Sequence, residues 1–408
     1  MLLRETLLAV LDQPAVPPAP TGEVCRHQRP PWERSRQPSH ALMLTGVRRC
    51  GKSTLQSQIR RSVKGKTVTI NLEDTRLYGL GPEDFASLIA LFDERHPGAA
   101  IYLDEVQEVP EWQRLVRALL DKGRRVCLTG SNASLLGREL GSLLTGRHLS
   151  HEVYPFSYRE FLEFTAQRPG PSELQDYLAR GGFAAALAAG PVQGANLLRE
   201  LLRDVVQRDI VSRHTLRASR PLMTLTLHLL AHAGQPLSLQ ALARGLALPS
   251  VAQTGRMVEY LQDAWLLLAV PRFSTKFKQR VNSPPKYYAI DTGLAAANTP
   301  NPTPDMGRRL ENAVLLHLRR RGDSPSFAAV PNDWECDFVT PTHAIQCCAH
   351  LTRENRAREL RGLFQASTLP VGTKDRRREL LVLTLDQEDV LQERGMTVRV
   401  VPAWKWLD

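Results

Sequence analysis

Between Gly46 and Ser53 the chain reads G-V-R-R-C-G-K-S, a complete G-x-x-x-x-G-K-[ST] pattern. The pattern constrains the fold because it works only where a strand ends and a helix begins. Backbone N–H groups and the helix N-terminus then converge on one point and hold an anionic polyphosphate. The flanks comply: Ala41–Leu44 is a short apolar run, and Thr54–Ile59 is compatible with a helix. The segment predicts a parallel α/β sheet whose ligand is a nucleoside triphosphate.

Roles follow from the chemistry of phosphoryl transfer. Gly46 and Gly51 allow the tight turn and the close approach of backbone to phosphate, and Val47, Arg48, Arg49, Cys50 and Thr54 complete the loop. Lys52 supplies a point charge to the β and γ phosphates, and Ser53 offers a hydroxyl to Mg²⁺. A loop of this kind needs a second element, and Ile101-Tyr102-Leu103-Asp104-Glu105 supplies it, an apolar strand ending in two acids 52 residues beyond Lys52. Asp104 is placed to reach Mg²⁺ through water, and Glu105 to polarise the attacking water. The expected cofactors are therefore ATP and Mg²⁺, and hydrolysis is the expected outcome. A third strand, Val126–Thr129, ends in Gly130-Ser131-Asn132. Asn132 or Ser131 there can report on the γ-phosphate, or simply cap the next helix. Arg147, in Thr145-Gly146-Arg147, is either an arginine finger across a subunit interface or a basic loop residue.

The chain divides into five stretches. Residues 1–40 are a short helix followed by a Pro-rich lead-in. In residues 41–156 apolar strands alternate with helices, as a parallel sheet covered on both faces requires. Residues 157–235 carry helical periodicity, with Leu197, Leu198, Leu201, Leu202, Val205 and Val206 as an apolar stripe, and predict a helical lid. Residues 236–304 have the order of a winged helix-turn-helix: a helix over Ser238–Arg244, a turn, a helix over Ser250–Asp263, the run Trp265–Leu268 and a basic hairpin over Arg272–Arg280. Residues 305–408 alternate helices and strands again as a separate α/β unit.

The chain carries 53 Lys and Arg against 42 Asp and Glu, a net charge of +11, which favours an anionic partner and DNA first. Its six cysteines, at positions 25, 50, 127, 336, 347 and 348, form no CxxC pair and read as reduced thiols. The N-terminal Met1-Leu2-Leu3 is broken by Arg4, Glu5 and Asp12, unlike a signal peptide, and no stretch approaches the roughly 18 apolar residues of a membrane span. A cytoplasmic protein without a membrane partner is expected.

The succession of motifs resembles a large prokaryotic family of P-loop ATPases of the AAA+/STAND superclass. In that family the ATPase core precedes a winged helix and a C-terminal restriction-endonuclease-like domain. The matching words are Thr45–Thr54, Asn71–Asp74, Leu103–Gln107, Leu128–Asn132, Leu144–Arg147, Tyr154–Ser157, Tyr287–Leu294 and Gly307–Asn312. The resemblance implies a nucleic-acid-linked ATPase that forms a homo-oligomer, for which a hexameric ring is one arrangement. One place departs from the pattern. A nuclease of this fold needs an acid and then a strand reading [E/Q]-x-K, so that acids hold Mg²⁺ and the Lys orients water. Glu311 lies on the leading helix and Asp337 supplies the acid, but Gln346-Cys347-Cys348 puts a thiol where the ammonium belongs. The unit is expected to bind DNA or to pack, rather than to cut.

On the expected recognition helix, Gln253, Thr254, Arg256 and Tyr260 face outward, with Val251, Val258 and Leu261 as the buried face. Lys276, Lys278 and Arg280 in the wing add phosphate-compatible charge. Arg319–Arg321 and Arg376–Arg378 can track a backbone or simply be solvated. Two functions fit. One is an ATPase that remodels or translocates on DNA, branched or recombination structures among them; the other is a STAND-type switch whose nucleotide state gates a protein partner.

Overall fold

The computed structural model describes residues 2–12, 22–30, 40–131, 144, 146–216, 219–299, 305–370 and 378–408. They form two compact units, Met1–Tyr154 with Asp263–Trp265, and Pro155–Gln262 with Leu266–Asp408.

The first unit is a five-stranded parallel sheet. Its strands are β1 (Ala41–Thr45), β2 (Thr67–Asn71), β3 (Ala100–Asp104), β4 (Val126–Gly130) and β5 (His148–Glu152), in the spatial order β2-β3-β4-β1-β5. β1 and β4 are buried along their whole length, as near-continuous apolar runs in a two-sided sheet require. Helices α2 (Lys52–Ser62), α3 (Phe85–Arg95) and α4 (Trp112–Asp121) supply the crossovers. On α4, Trp112, Leu115, Val116, Leu119 and Leu120 form a stripe at helical spacing that is buried in the core. The N-terminal helix α1 (Arg4–Leu11) buries Leu7, Val10 and Leu11 in that same core. α1 is therefore packed on the sheet's core, because its apolar stripe needs burial and the sheet receives it.

The second unit begins with helices Tyr158–Thr165, Pro171–Arg180, Ala184–Ala188 and Gly190–Asp204, the last running on through a π-helical stretch, Val205–Ser212. Ser157 and Glu160 make a reciprocal capping box at the start. Helices Leu239–Gly245 and Val251–Asp263 follow in helix-turn-helix order. After them come β6 (Leu267–Val270) and β7 (Lys286–Ala289), paired antiparallel. The basic stretch is not a hairpin, since Phe277–Asn282 is a short helix between these two strands. The strands form from the apolar residues on either side of it.

The C-terminal part is a six-stranded mixed sheet of β8 (Ser326–Val330), β9 (Trp334–Val339), β10 (His343–Cys347), β11 (Glu379–Thr384), β12 (Asp389–Glu393) and β13 (Met396–Pro402), in the order β12-β13-β11-β10-β9-β8. Helix Met306–Arg320 precedes it, and helix Arg356–Ser367 crosses between the parallel strands β10 and β11. The helical stretch, the two helices Leu239–Gly245 and Val251–Asp263 and this sheet fall within the second compact unit, except for the last residue of the second helix.

Candidate nucleotide site

Thr45 ends β1, and the chain turns through Gly46 at φ +155°, Arg49 at φ +65° and Gly51 at φ +100° before α2 begins at Lys52. Both glycines are required by this path. A Cβ on Gly46 would stand 2.1 Å from the Val153 carbonyl oxygen, and one on Gly51 2.9 Å from the Arg26 guanidinium. The loop is therefore pressed between the end of the sheet and the N-terminal segment.

Lys52 is 3% exposed, and its ammonium donates to the carbonyl oxygens of Gly46 at 3.1 Å and Val47 at 3.2 Å. The charge is thus held inside the curve of the loop, where an anion would find it already oriented. Ser53, the second residue of α2, donates to Asp104 Oδ1 at 3.0 Å. Thr129, at the end of β4, also donates to Asp104 Oδ1 and accepts the Glu105 N–H at 2.9 Å. Burial raises the Asp104 carboxyl above its ordinary pKa, against the opposing pull of Thr129 and Ser53. A hydroxyl and a desolvated carboxylate meeting at one point fit a hard divalent cation. Ser53 would hold Mg²⁺ directly and Asp104 through water.

Glu105 occupies the left-handed region at φ +54°, an uncommon conformation for a residue other than glycine. Its Oε2 accepts from Gln107 Nε2 at 2.5 Å, and the same amide reaches Ser131 Oγ at 3.3 Å. The carboxylate is thereby tied to the end of β4. Behind the loop, the buried guanidinium of Arg26 donates to the carbonyls of Cys50 at 2.9 Å and Tyr154 at 2.5 Å. Gln56, one turn into α2, donates to Leu103 O at 3.1 Å and fixes the helix to β3. Cys50 is buried, and burial raises its thiol, so it lines the loop as an inert group. Arg48 lies 3.7 Å from Glu73, while Arg49 and Thr54 face solvent.

The structure thus brings together Gly46, Val47, Cys50, Gly51, Lys52, Ser53, Asp104 and Glu105. It does not bring Arg147 to them. Arg147 O accepts the N–H of Ala41, at the opposite end of β1, roughly 13 Å of strand away from the loop. Its guanidinium pairs with Asp121 at 2.5 Å. This placement sets Arg147 apart from the loop of its own chain. Asn132 lies outside the described residues. Arg26, Gln107 and Thr129 are contributors that sequence reasoning missed. Thr129 and Gln107 stood inside quoted motifs, whereas nothing marked Arg26.

On helix Val251–Asp263 the buried residues are Thr254, Val258 and Leu261. Thr254 is 0% exposed and its hydroxyl donates to Ser250 O at 2.9 Å, so it offers nothing to DNA. Val251, expected inside, is 45% exposed, and Tyr260 stacks on His214 with ring centroids 3.9 Å apart. The helix is rotated so that Thr254 takes the place in the core assigned to Val251. Gln253, Arg256, Lys276, Lys278 and Arg280 are exposed. Arg320 donates to the carbonyls of Pro155 and Phe156. Arg378 is buried against Thr340 O and Leu369 O, and Arg376 and Arg377 lie outside the described residues.

Residues 38–162 match the model of the AAA domain, and residues 171–305 match a domain of unknown function (DUF8612). The first stretch contains β1–β5 and the loop just described. An uncharacterized protein of Methanocaldococcus jannaschii is 28% identical over 404 residues, 90% of this chain and 88% of that protein. An uncharacterized protein of Haemophilus influenzae is 28% identical over 317 residues, 73% of this chain and 78% of that one. Among solved structures, the Aeropyrum pernix ORC1 protein in complex with DNA is similar at TM-score 0.33 and 18% identity, covering 73% of this chain and 96% of that one. The Thermotoga maritima RuvB Holliday junction branch migration motor is similar at TM-score 0.27 and 20% identity, covering 57% and 82%. Likeness at this level says nothing of what this chain acts on. No helix among the described residues is long and apolar enough to cross a membrane.

Proposed function

We propose that this chain is a Mg·ATP-hydrolysing, DNA-binding ATPase of AAA+ type that remodels or translocates on DNA. The observation that carries the hydrolysis is the convergence of Lys52, Ser53, Asp104 and Glu105 at the end of one sheet, with the AAA-domain match over the same residues. Lys52 would neutralise the β and γ phosphates, and Ser53 and Asp104 would hold a magnesium ion, which would supply further positive charge to shield them. Glu105 accepts the proton of the attacking water once its bond from Gln107 is released. The loop carbonyls and Arg26 hold the site in shape beforehand, which lowers the cost of ordering on binding. A Glu105→Gln protein should bind ATP normally and hydrolyse it slower by about 10²-fold or more. Ordinary turnover in that variant would remove Glu105 from the role.

The DNA assignment rests on the net charge of +11 and on Gln253, Arg256, Lys276, Lys278 and Arg280, all exposed on helix Val251–Asp263 and on the basic stretch between β6 and β7. No acidic residue occurs between Trp265 and Ile290 to offset them. In a homo-oligomeric ring, hexameric in one arrangement, Arg147 would serve the site of a neighbouring protomer. Mixing an Arg147→Ala chain with a Lys52→Ala chain tests that. Rescue of turnover contradicts a purely structural pairing with Asp121.

A second reading has the chain as a nucleotide-gated switch acting through protein partners. Phe277 at 72% and Val281 at 62% exposure, on the basic helix, favour it because large apolar groups suit a protein surface as well as a nucleobase. Turnover that no DNA alters would select this reading over the first.

A further inference from the structure

In the second unit, three carboxylates point at one buried nitrogen. The ammonium of Lys286, at the start of β7, is fully buried. It lies 2.8 Å from Glu311 on helix Met306–Arg320, and 3.1 Å from Asp337 and 2.6 Å from Glu335 on β9. Glu311 and Asp337 are the acids that the endonuclease-like resemblance assigns to a metal. Asp337 stands on the strand beside β10, whose Cys348 end lacks the lysine that such a site requires. A lysine is present after all, arriving from a strand 62 residues earlier in the chain than Cys348.

Its position decides what it does. A lysine that activates water stands beside a metal–carboxylate centre, whereas Lys286 Nζ stands at the point where the carboxylates converge. The remaining donors are also engaged. Glu311 Oε1 accepts the Tyr288 hydroxyl at 2.6 Å as well as the ammonium. Asp337 Oδ2 accepts the Cys347 N–H at 2.9 Å, leaving Oδ1 for Lys286. Gln346 turns away, donating to Glu359 at 2.8 Å and accepting the Asp337 N–H at 3.3 Å. Mg²⁺ demands about six oxygens near 2.0–2.1 Å and usually keeps several waters. The residues present do not fit such an ion.

We propose that the Lys286 ammonium is the resident cation of the Glu311–Glu335–Asp337 cluster and stands where a divalent metal would, so that the C-terminal sheet holds no metal at these acids. The ammonium takes the carboxylate oxygens that face the centre of the cluster, Glu311 Oε1, Glu335 Oε1 and Asp337 Oδ1, while Glu335, 42% exposed, also faces water.

The same ammonium is a joint. Lys286 closes the β6–β7 pair, and the other end of that connection is tied to β8, where Phe273 N–H donates to Phe327 O at 2.7 Å and Phe327 N–H to Pro271 O at 3.1 Å. The exposed basic helix Phe277–Asn282 therefore leaves from, and returns to, anchored positions on the C-terminal sheet. An acid cluster held by lysine keeps this anchorage independent of metal supply.

The test is Mn²⁺ binding to the full chain without nucleotide, followed by electron paramagnetic resonance. Wild type should show no binding that Asp337→Asn removes. A Lys286→Ser chain should gain one Mn²⁺ per chain, lost again in the Lys286→Ser/Asp337→Asn double variant. Asp337-dependent Mn²⁺ binding by wild type would overturn the proposal, and so would a folded Lys286→Ser chain that gains none. Should Lys286→Ser fail to fold, thermal unfolding of wild type with and without Mn²⁺ decides. An unchanged midpoint supports the resident ammonium, and an upward shift absent from Asp337→Asn contradicts it.

Discussion

Arg26→Met is the sharpest probe of how the nucleotide loop is held. Methionine keeps most of the buried stem but removes the guanidinium, and with it the bonds to the Cys50 and Tyr154 carbonyls. Hydrogen bonds from a charged donor contribute about 1.5–3 kcal/mol each, and both acceptors stay buried when the donor goes. A loss of about 3 kcal/mol is therefore the lower expectation, equivalent to a fall of roughly 6–12 °C in the midpoint of a domain of this size. The effect on binding is separate. Cys50 lies inside the loop, and freeing one or two of its residues means re-ordering them around phosphate at about 1–2 kcal/mol apiece. About 2 kcal/mol corresponds to a roughly 30-fold weaker Kd. Differential scanning calorimetry and titration with a fluorescent ATP analogue in Mg²⁺ measure the two effects. A lowered midpoint with an unchanged Kd would refute the claim that Arg26 orders the loop. An unchanged midpoint would refute the bracing altogether.

Other outcomes follow from the same geometry. Thr254→Ala should leave DNA affinity unchanged, since its hydroxyl is buried, whereas Lys276→Ala and Lys278→Ala should each weaken binding and lower the salt slope by about one in filter-binding titrations. Gly46→Ala should abolish nucleotide binding, because its methyl would meet the Val153 carbonyl, and a fluorescent-analogue titration checks this. Asp291 is buried, accepts the N–H groups of Gly182 and Leu294, and burial pushes it up to about 6. The folded chain then binds a proton that the unfolded chain, at about 3.9, releases. Stability should rise as pH falls from about 6 towards 4, by about 1.4 kcal/mol per unit, and be lost as pH rises through 6. Asp291→Asn should lack that slope, so wild type should gain stability relative to the variant as pH falls from about 6 towards 4, and a difference between their unfolding midpoints that stays constant over that range would contradict the assignment.

The sequence displays this fold unevenly, for physical reasons. β1, β3 and β4 are legible because a strand covered on both faces must be largely apolar, and the loop is legible because its backbone path demands glycines at 46 and 51. β5 was missed. His148-Leu149-Ser150-His151-Glu152 lies at the sheet edge, where one partner strand and an exposed face permit polar residues. The basic stretch read as a hairpin because its charges suit a wing, yet the strands come from Leu267–Val270 and Lys286–Ala289. Neither Arg26 nor Lys286 announces its burial. Each is inside only because acceptors far along the chain, at 50 and 154 or at 311, 335 and 337, come to meet it. Position 348, one residue past β10, carries a cysteine, and only the tertiary structure shows a lysine among those acids.

The central claim, hydrolysis at Lys52–Asp104–Glu105 coupled to DNA, is tested most directly by one steady-state measurement. ATP turnover is followed with no DNA, single strands, duplex and a four-way junction, for wild type and for a Lys276→Ala/Lys278→Ala/Arg280→Ala chain. The account predicts stimulation of wild type by at least one DNA form, with the triple variant keeping its basal rate and losing the stimulation. Equal rates for wild type under all four conditions, or full stimulation of the triple variant, would contradict it.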